Sequence, residues 1–324
     1  MSHRVLVLRP EADFARVDAM PPAGFEVAYH GPADTEVPAL MKQSAALVIP
    51  AVGPKLAPSL FEGTSLKLVQ VTGAGVDRLD QAALTKLGIP VANVAGGSNS
   101  AVAEYAVTAA SALLRRMAWS DAEIKNGNYV KFRTRMIADN LAGIEGLLVG
   151  LVGFGTIGRA VAKAFEAMGC RICYFDPAAP AQIAGTATRM NSLQELLTTA
   201  DVVSLHVPLM PETQNLIGTR ELAMMKKDAV LIQAARGGVV DEAALAAALT
   251  EGRIGGAAVD VYSTEPPPAD NPLLTLKGEG ASRILLTPHV AGVTRQASAF
   301  LFRSAWQNVK RVLIDNQPPQ NRVY

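Results

Sequence analysis

The sequence predicts an α/β protein built from two parallel-sheet domains, one of them inserted into the other. Short runs rich in Val, Ile and Leu recur along the chain between Gly and Pro residues, which is typical of buried parallel strands. Helix-length segments separate these runs, and that alternation indicates an α/β fold. A chain of 324 residues suits two domains, since a domain has about 150 residues.

The predicted strands form two series separated by a long Ala-rich segment. We expect one helix from Ser100 to about Lys125, because this segment contains neither Gly nor Pro, and another from Thr294 to about Ile314. If both helices cross between domains, residues 1–100 and 293–324 form one domain and residues 101–292 form the other. The predicted strands are Val5–Leu8, Phe25–Tyr29, Ala46–Ile49, Leu68–Val71 and Val91–Val94 in the first series, and Leu147–Val152, Arg171–Phe175, Asp201–His206, Ala229–Gln233, Gly256–Asp260 and Ile284–Leu286 in the second.

Composition excludes several classes of protein. Hydrophobic residues make up 49% of the chain, and 30 basic residues nearly balance 29 acidic ones. A net charge of +1 gives no general attraction to nucleic acid or to an anionic membrane. Glu104 and Glu145 interrupt the most apolar later stretches, so neither suits a membrane span. The apolar run Val5–Leu8 is too short for a secretory signal, and we expect a cytoplasmic protein.

The two cysteines, Cys170 and Cys173, have the C-x-x-C spacing of some redox and zinc sites. No second Cys pair or His cluster lies nearby in the sequence to complete a zinc site. Both residues also lie at a predicted strand, in which residues three apart point to opposite faces. We therefore interpret them as buried small apolar residues and expect no metal site.

A glycine-rich turn follows the first strand of the second series. Gly153, Gly155 and Gly158 form a G-x-G-x-x-G motif between that strand and a helical segment, Ile157–Met168. In a Rossmann domain such glycines permit a tight turn, the approach of a pyrophosphate and close helix–strand packing. The alternative is a turn that binds nothing. The expected cofactor contacts of the turn are Gly153, Phe154, Gly155, Thr156, Ile157 and Gly158.

An acidic residue favours NAD as the cofactor. Asp176 ends the next predicted strand, where a carboxylate accepts hydrogen bonds from the adenine ribose and repels a 2′-phosphate. Pro177, Ala178 and Ala179 follow, so no neighbouring Arg is present to bind that phosphate. The motif and the acid together predict an NAD site.

Three charged residues follow the last three predicted strands. Arg236, Glu265 and His289 are expected at the carboxyl edge of the sheet, where open α/β sheets bind ligands. An Arg binds a carboxylate, a His exchanges a proton near neutral pH, and a neighbouring Glu favours the protonated ring. Hydride transfer between NAD and a hydroxyl-bearing carbon needs these functions. For any one of the three, a solvated loop residue is the alternative interpretation.

With these motifs the sequence resembles the D-isomer-specific 2-hydroxyacid dehydrogenase family over essentially its whole length. The resemblance implies that Arg236, Glu265 and His289 are catalytic and that Arg236, His289 and the amides of Ala74 and Gly75 bind the substrate. It also implies a flavodoxin-like substrate domain, an inserted Rossmann-like NAD domain and a homodimer. Further implied cofactor contacts are His206, Pro208, Ala234, Ala235, Asp260 and Gly292. The matching stretches are Gly73–Asp77, Val102–Glu104, Val149–Arg159, Asp201–Thr213, Ala235–Gly237, Asp260–Pro266 and Pro288–Gly292.

The resemblance narrows the substrate to a small anionic 2-oxo or 2-hydroxy acid and leaves its side chain open. Glu265 argues against formate, where similar enzymes carry Gln, and Ala74 argues against phosphite, where they carry Lys. One hypothesis is that Lys131, Arg133 or Arg135 contacts a second anionic group, as a phosphoglycerate dehydrogenase-like activity would require. The alternative is a solvated dimer arm. An NAD-sensing corepressor of similar fold remains a competing function.

Overall fold

The computed structural model describes residues 2–180 and 185–324, which form two compact units. The first unit joins the residues up to Ser98 with Val293–Tyr324, and the second comprises Asn99–Gly292. The chain therefore leaves the first unit once and later returns to it. Each unit contains one sheet in which every strand pair is parallel, which confirms the predicted pair of parallel-sheet domains.

The first unit is a five-stranded sheet with helices on both faces. Its strand order, β2-β1-β3-β4-β5, is the flavodoxin-like order. Along β1, Val5 and Val7 contact the core that includes the last helix, whereas Leu6 faces the opposite core, as a strand period of two requires. The elements are β1 (His3–Val7), α1 (Glu11–Ala15), β2 (Phe25–Tyr29), α2 (Val37–Gln43), β3 (Ala46–Ile49), a 3-10 helix (Pro58–Phe61), β4 (Leu68–Val71), α3 (Gln81–Lys86), β5 (Val91–Ala92) and α12 (Arg295–Leu313).

The second unit is a seven-stranded sheet in the order β12-β11-β10-β9-β6-β7-β8. The strand order reverses beside β6, and the crevice beyond its carboxyl end is where doubly wound sheets bind dinucleotides. The elements are α4 (Asn99–Leu114), α5 (Met117–Lys125), α6 (Tyr129–Ala138), β6 (Leu148–Val152), α7 (Thr156–Ala167), β7 (Arg171–Phe175), β8 (Thr188–Arg189), α8 (Leu193–Thr199), β9 (Val202–Leu205), α9 (Thr219–Met224), β10 (Val230–Gln233), α10 (Glu242–Thr250), β11 (Gly256–Val259), α11 (Gly278–Ser282) and β12 (Ile284–Leu286).

The helices of the second unit cover both faces of its sheet. Helices α4 and α7 pack on one face, and Ala106 and Phe165 are fully buried there. Helices α8 and α10 pack on the other face through Leu196 and Leu245. Most of the strand residues between these layers are buried apolar side chains, as the near-continuous hydrophobic runs predict.

The segment from Ser100 to Lys125 is two helices, so the prediction of one long helix is wrong. Arg116 lies between α4 and α5 with a φ of 48°, a left-handed conformation that ends a helix. Its guanidinium pairs with Asp139 and lies 5.3 Å from the centre of the Trp119 ring. These tertiary contacts accompany the break, and helix propensity alone does not reveal them.

No helix among the described residues is both long enough and apolar enough to span a membrane. The cysteines form no disulfide and are buried: Cys170 lies in the core on one face of the sheet, and Cys173 lies in the core on the other. Burial raises the pKa of the Cys173 thiol to about 11, so it is not a thiolate at neutral pH.

Candidate active site

The glycine-rich turn joins β6 to α7, and each of its glycines meets different surroundings. Gly153 has a φ of 93°, and a Cβ there would lie 2.6 Å from the carbonyl oxygen of His206. A Cβ on Gly158 would lie 2.4 Å from the carbonyl oxygen of Gly153. A Cβ on Gly155 would meet nothing within 4 Å. Two glycines are therefore required by the fold, whereas Gly155 leaves open space at the amino end of α7.

That open space suits a pyrophosphate. Gly155 is the N-cap of α7, a helix of 12 residues. Because Gly155 has no side chain, an anion can approach the backbone at this position. Backbone N–H groups and the positive end of the helix dipole favour a negative charge at this position. The turn residues Phe154, Thr156 and Ile157 lie at the same end, with the Phe154 ring stacked 4.0 Å from the Tyr174 ring. The residues present fit the diphosphate of NAD.

Substituting Gly155 with Ala separates cofactor binding from folding. We expect the Kd for NADH to rise about tenfold or more, since the new methyl group occupies the space of the diphosphate. The melting temperature should stay within about 2 °C of wild type, because the methyl group meets no protein atom. Fluorescence titration with NADH and thermal unfolding measure the two quantities.

Gly143→Ala is the matched control, since a Cβ on Gly143 also meets nothing within 4 Å and that residue lies outside the turn. It should leave both quantities unchanged. Unaltered NADH binding by Gly155→Ala would remove this turn from the cofactor site.

The Asp176 carboxylate binds the turn from the end of β7. Its Oδ2 atom accepts a hydrogen bond from the Phe154 amide at 2.8 Å, and its Oδ1 atom accepts from the amides of Ala178 and Ala179 at 2.9 and 3.1 Å. Asp176 therefore orders the turn in addition to the ribose contact expected from the sequence. Arg189 donates to the Asp176 carbonyl oxygen at 3.1 Å, so the fold brings an Arg close to this acid that the sequence alone does not place there.

His206 follows β9 beside the glycine-rich turn. Its Nε2 atom lies 2.9 Å from the Ser204 hydroxyl, and its buried Nδ1 atom has no hydrogen-bond partner among the described residues. Burial lowers the pKa of His206 to about 4, so the ring is neutral at neutral pH and is a poor source of protons. Pro208, two residues further, accepts a hydrogen bond from the Thr213 hydroxyl through its carbonyl oxygen.

The loop after β10 carries Arg236. The buried Gln233 side chain binds this loop at two points: its Oε1 atom accepts from the Ala235 amide at 3.2 Å, and its Nε2 atom donates to the Arg236 carbonyl oxygen at 2.9 Å. Gln233 is not among the residues predicted from the sequence, although a polar residue at the end of an apolar strand is a usable signal. Ala234 lies between the strand and these contacts.

The next residue, Gly237, has no room for a side chain. A Cβ there would lie 1.8 Å from the carbonyl oxygen of Tyr262. The backbone of the Arg236 loop is thus in direct contact with the loop after β11, which carries Glu265.

Glu265 and His289 form a close pair. The Nδ1 atom of His289 lies 2.8 Å from Oε2 of Glu265, and Oε1 of Glu265 accepts from the Tyr262 amide at 3.0 Å. Because a carboxylate only accepts hydrogen bonds, Nδ1–H of His289 is the donor and Nε2 is the ring nitrogen left for a substrate. The side chain of His289 is 28% exposed and that of Glu265 is 26% exposed, so solvent reaches the pair.

The loop that carries His289 is bound to Asp260. Asp260 is 1% exposed; its carbonyl oxygen accepts from the His289 amide, and its carboxylate accepts from the amides of Val290 and Ala291, all at 2.8 Å. The resemblance predicts a cofactor contact for Asp260. In the structure, Asp260 also holds the loop that carries His289. Gly292 follows in the same loop and is the last residue of the second unit.

In the second unit the three predicted catalytic residues follow neighbouring strands of the sheet. Arg236 follows β10, Glu265 follows β11 and His289 follows β12, and these strands are adjacent in the order β12-β11-β10. A cation, a carboxylate and an imidazole therefore lie along the carboxyl edge of this sheet. That set can bind a carboxylate and move a proton.

In the first unit, the loop after β4 carries Ala74 and Gly75. Asn93 donates a hydrogen bond from its side-chain nitrogen to the Ala74 carbonyl oxygen at 2.7 Å, and the Val94 amide donates to the Gly73 carbonyl oxygen at 2.9 Å. Ala74 is exposed and Gly75 is half-buried. Asn93 thus orients the loop of the predicted substrate amides, a function that its position in the sequence does not reveal.

The basic cluster Lys131, Arg133 and Arg135 lies on α6. Arg135 already has partners in the second unit: it makes two hydrogen bonds to Glu279, at 2.7 and 2.9 Å, and its guanidinium lies 4.6 Å from the centre of the Trp119 ring. The Arg135 guanidinium, as the largest cause, lowers the pKa of Glu279 to about 2. Lys131 and Arg133 are exposed, so they are better placed than Arg135 to meet an external anion.

Comparisons with known proteins agree with these features. Residues 107–291 match the family model described as D-isomer specific 2-hydroxyacid dehydrogenase, NAD binding domain. The chain is 35% identical over 271 residues to a glycerate dehydrogenase of Methylorubrum extorquens, an alignment that covers 83% of this chain and 82% of that protein. A solved structure of a Thermus thermophilus protein is similar with a TM-score of 0.83 and 31% identity, and the alignment covers 99% of this chain and 100% of the other.

A second relative is considerably longer than this chain. A D-3-phosphoglycerate dehydrogenase of Methanocaldococcus jannaschii is 37% identical over 250 residues, which is 76% of this chain and 46% of that protein. The chain spans about half the length of this relative. The similarity therefore concerns the shared part and leaves the remainder of the longer protein without a counterpart in the alignment.

Proposed function

We propose that this chain, which belongs to the D-isomer specific 2-hydroxyacid dehydrogenase family, interconverts a small 2-oxo acid and its D-2-hydroxy acid with NAD. The observation that carries the proposal is the His289–Glu265 pair, 2.8 Å apart, at the sheet edge that also bears Arg236. The glycine-rich turn with its open position at Gly155 supports the choice of a dinucleotide.

NADH held by the glycine-rich turn and Asp176 would supply the hydride that the carbonyl carbon of the substrate needs for reduction. His289 gives a proton from Nε2 to the carbonyl oxygen, so a carbonyl group becomes a hydroxyl group. Glu265 accepts the hydrogen bond from Nδ1–H, which orients the ring and leaves Nε2 for the substrate. The Arg236 guanidinium binds the substrate carboxylate, and the amides of Ala74 and Gly75 are the proposed additional donors to that group.

A panel of 2-oxo acids tests the proposal directly. Glyoxylate, hydroxypyruvate and a dicarboxylic 2-oxo acid are each mixed with NADH or NADPH, and the loss of reduced-cofactor absorbance gives the rate. Turnover of at least one acid, faster with NADH than with NADPH, is expected. Tight NADH binding without turnover of any acid would favour the NAD-sensing corepressor over an enzyme.

The same panel tests the doubly anionic substrate suggested by the phosphoglycerate dehydrogenase relative. If Arg133 contacts a second anionic group, Arg133→Ala should lower kcat/KM for the dicarboxylic acid by about tenfold and leave glyoxylate within about twofold. Arg220→Ala, which removes an exposed Arg from α9 of the same unit, is the matched control. An unchanged preference in Arg133→Ala would exclude this contact.

A homodimer is the proposed assembly. Helices α5 and α6 expose apolar side chains that a partner of the same sequence could cover. Light scattering of the purified chain should then give twice the mass of one chain, and a single-chain mass would contradict the proposal. The exposed apolar side chains of α5 and α6 are Met117, Ile124, Tyr129, Val130 and Ile137.

The cytoplasmic location stays a prediction.

A further inference from the structure

His289 is held in a backbone conformation that a side chain seldom adopts without support. Its φ is 54°, in the left-handed region, which few residues other than Gly adopt, although Asn, Asp and His do so more often than the rest. With this backbone conformation, the Nδ1 atom of the ring lies 2.8 Å from Oε2 of Glu265. The surrounding groups that fix the loop therefore matter for the reaction.

The Asp260 carboxylate is the main support of the loop, and it has a third donor besides two backbone amides. The Thr287 hydroxyl lies 2.6 Å from Oδ1 of Asp260, and the Tyr105 hydroxyl lies 2.8 Å from the Thr287 hydroxyl oxygen. Tyr105 is on α4, so the chain of hydrogen bonds links that helix to the catalytic loop.

The direction of these hydrogen bonds follows from the Asp260 carboxylate, at which they end. An ionised carboxylate can only accept, so Thr287 must donate its single hydroxyl hydrogen to Asp260. The oxygen of Thr287 is then the acceptor for Tyr105, which must donate. Burial raises the pKa of Tyr105 to about 12, and the hydroxyl accordingly keeps its hydrogen at neutral pH. The order is thus Tyr105 to Thr287 to Asp260.

We infer that Tyr105 and Thr287 are positioning residues of the proposed reaction. They fix the rotamer of the Asp260 carboxylate, and that carboxylate fixes the backbone from which His289 reaches Glu265. A buried carboxylate that loses a donor is left partly unpaired, so its rotamer and the loop amides bound to it are held less firmly. The catalytic consequence rests on the proposed function, whereas the effect on the His289–Glu265 hydrogen bond does not.

Four variants test the inference. Tyr105→Phe removes the first donor, Thr287→Val removes the central hydroxyl, the double variant removes both, and Thr287→Ser retains the hydroxyl. Tyr29→Phe is the matched control, since the buried Tyr29 hydroxyl has no partner among the described residues and lies in the first unit. Steady-state kinetics gives kcat and KM, and NMR of the protein without cofactor detects Nδ1–H of His289. The chain has only 4 histidines, which simplifies the assignment.

We expect Tyr105→Phe to lower kcat about three- to tenfold and Thr287→Val about ten- to hundredfold, with KM within about twofold in both. The double variant should match Thr287→Val, because Tyr105 acts through the hydroxyl that is already gone. Thr287→Ser should remain within about threefold of wild type. The downfield Nδ1–H signal should broaden in the first three variants and persist in Thr287→Ser and Tyr29→Phe.

A different set of results would overturn the inference. It fails if the Nδ1–H signal of Thr287→Val is as sharp as that of wild type, or if the two single losses multiply in the double variant. It also fails if Thr287→Ser loses as much as Thr287→Val, since the hydroxyl would then not be the active group. An inactive wild-type protein with the expected NMR changes would contradict the proposed function and leave the positioning supported.

Discussion

Replacing His289 with Gln is expected to lower kcat for 2-oxo acid reduction by about 10²- to 10⁴-fold. Gln can keep a hydrogen bond to Glu265, but it cannot give a proton to the substrate oxygen at neutral pH. The Kd for NADH should change less than about threefold, because the glycine-rich turn and Asp176 are untouched. Stopped-flow or steady-state kinetics with NADH titration gives both values.

The control for this variant is His30→Gln. His30 lies in the first unit, where its ring pairs with Asp34 at 3.2 Å, and its replacement should leave kcat unchanged. His206 does not serve as a control, since it lies beside the glycine-rich turn. A kcat for His289→Gln within threefold of wild type would assign the proton transfer to another group.

Replacing Arg236 with Lys is expected to lower kcat/KM by about 10²-fold, mainly through a higher KM. Lys keeps the positive charge but loses the planar pair of donors that binds both oxygens of a carboxylate. The contacts of Gln233 with this loop involve the Arg236 carbonyl oxygen, so they survive the substitution. The loss therefore reports on the side chain and not on the loop.

Arg253→Lys provides the comparison for Arg236→Lys. Arg253 is an exposed residue paired with Glu251 in the same unit, and the same exchange there should leave kcat/KM unchanged. The assignment of Arg236 to the substrate fails if the variant weakens NADH binding as strongly as it weakens substrate binding, because a cofactor or folding defect would explain that result.

Most strands can be predicted from the sequence because a strand that is buried on both faces is a nearly continuous run of apolar residues. The bounds of Phe25–Tyr29, Ala46–Ile49 and Arg171–Phe175 are those predicted from their apolar runs alone. The break at Arg116 was missed because contacts with Trp119 and Asp139 accompany it, and nothing in the local sequence announces them. The two-residue strand β8 is too short for any periodicity to show.

The site residues that can be predicted from the sequence are charged or titratable residues next to apolar strands. Arg236 and His289 are charged or titratable residues directly after predicted strands, and the structure places them on neighbouring strands. The residues that orient them were not predicted, since Gln233 and Thr287 act on atoms whose proximity only the fold creates. Asn93 is a further case, because it binds a carbonyl oxygen 19 positions earlier in the chain.

The return of the chain to its first unit has a consequence for biosynthesis. Helix α12 supplies Leu301, Phe302 and Trp306 to the core beneath Val5 and Val7, so β1 is packed by a helix that is synthesised only after the whole second unit. Nascent domains generally fold in order from the amino terminus. Here the second unit, Asn99–Gly292, is complete before the first, whose apolar face stays uncovered until α12 has been synthesised. A chaperone that shields this face during synthesis would therefore act on the sheet of the first unit for longer than on the sheet of the second.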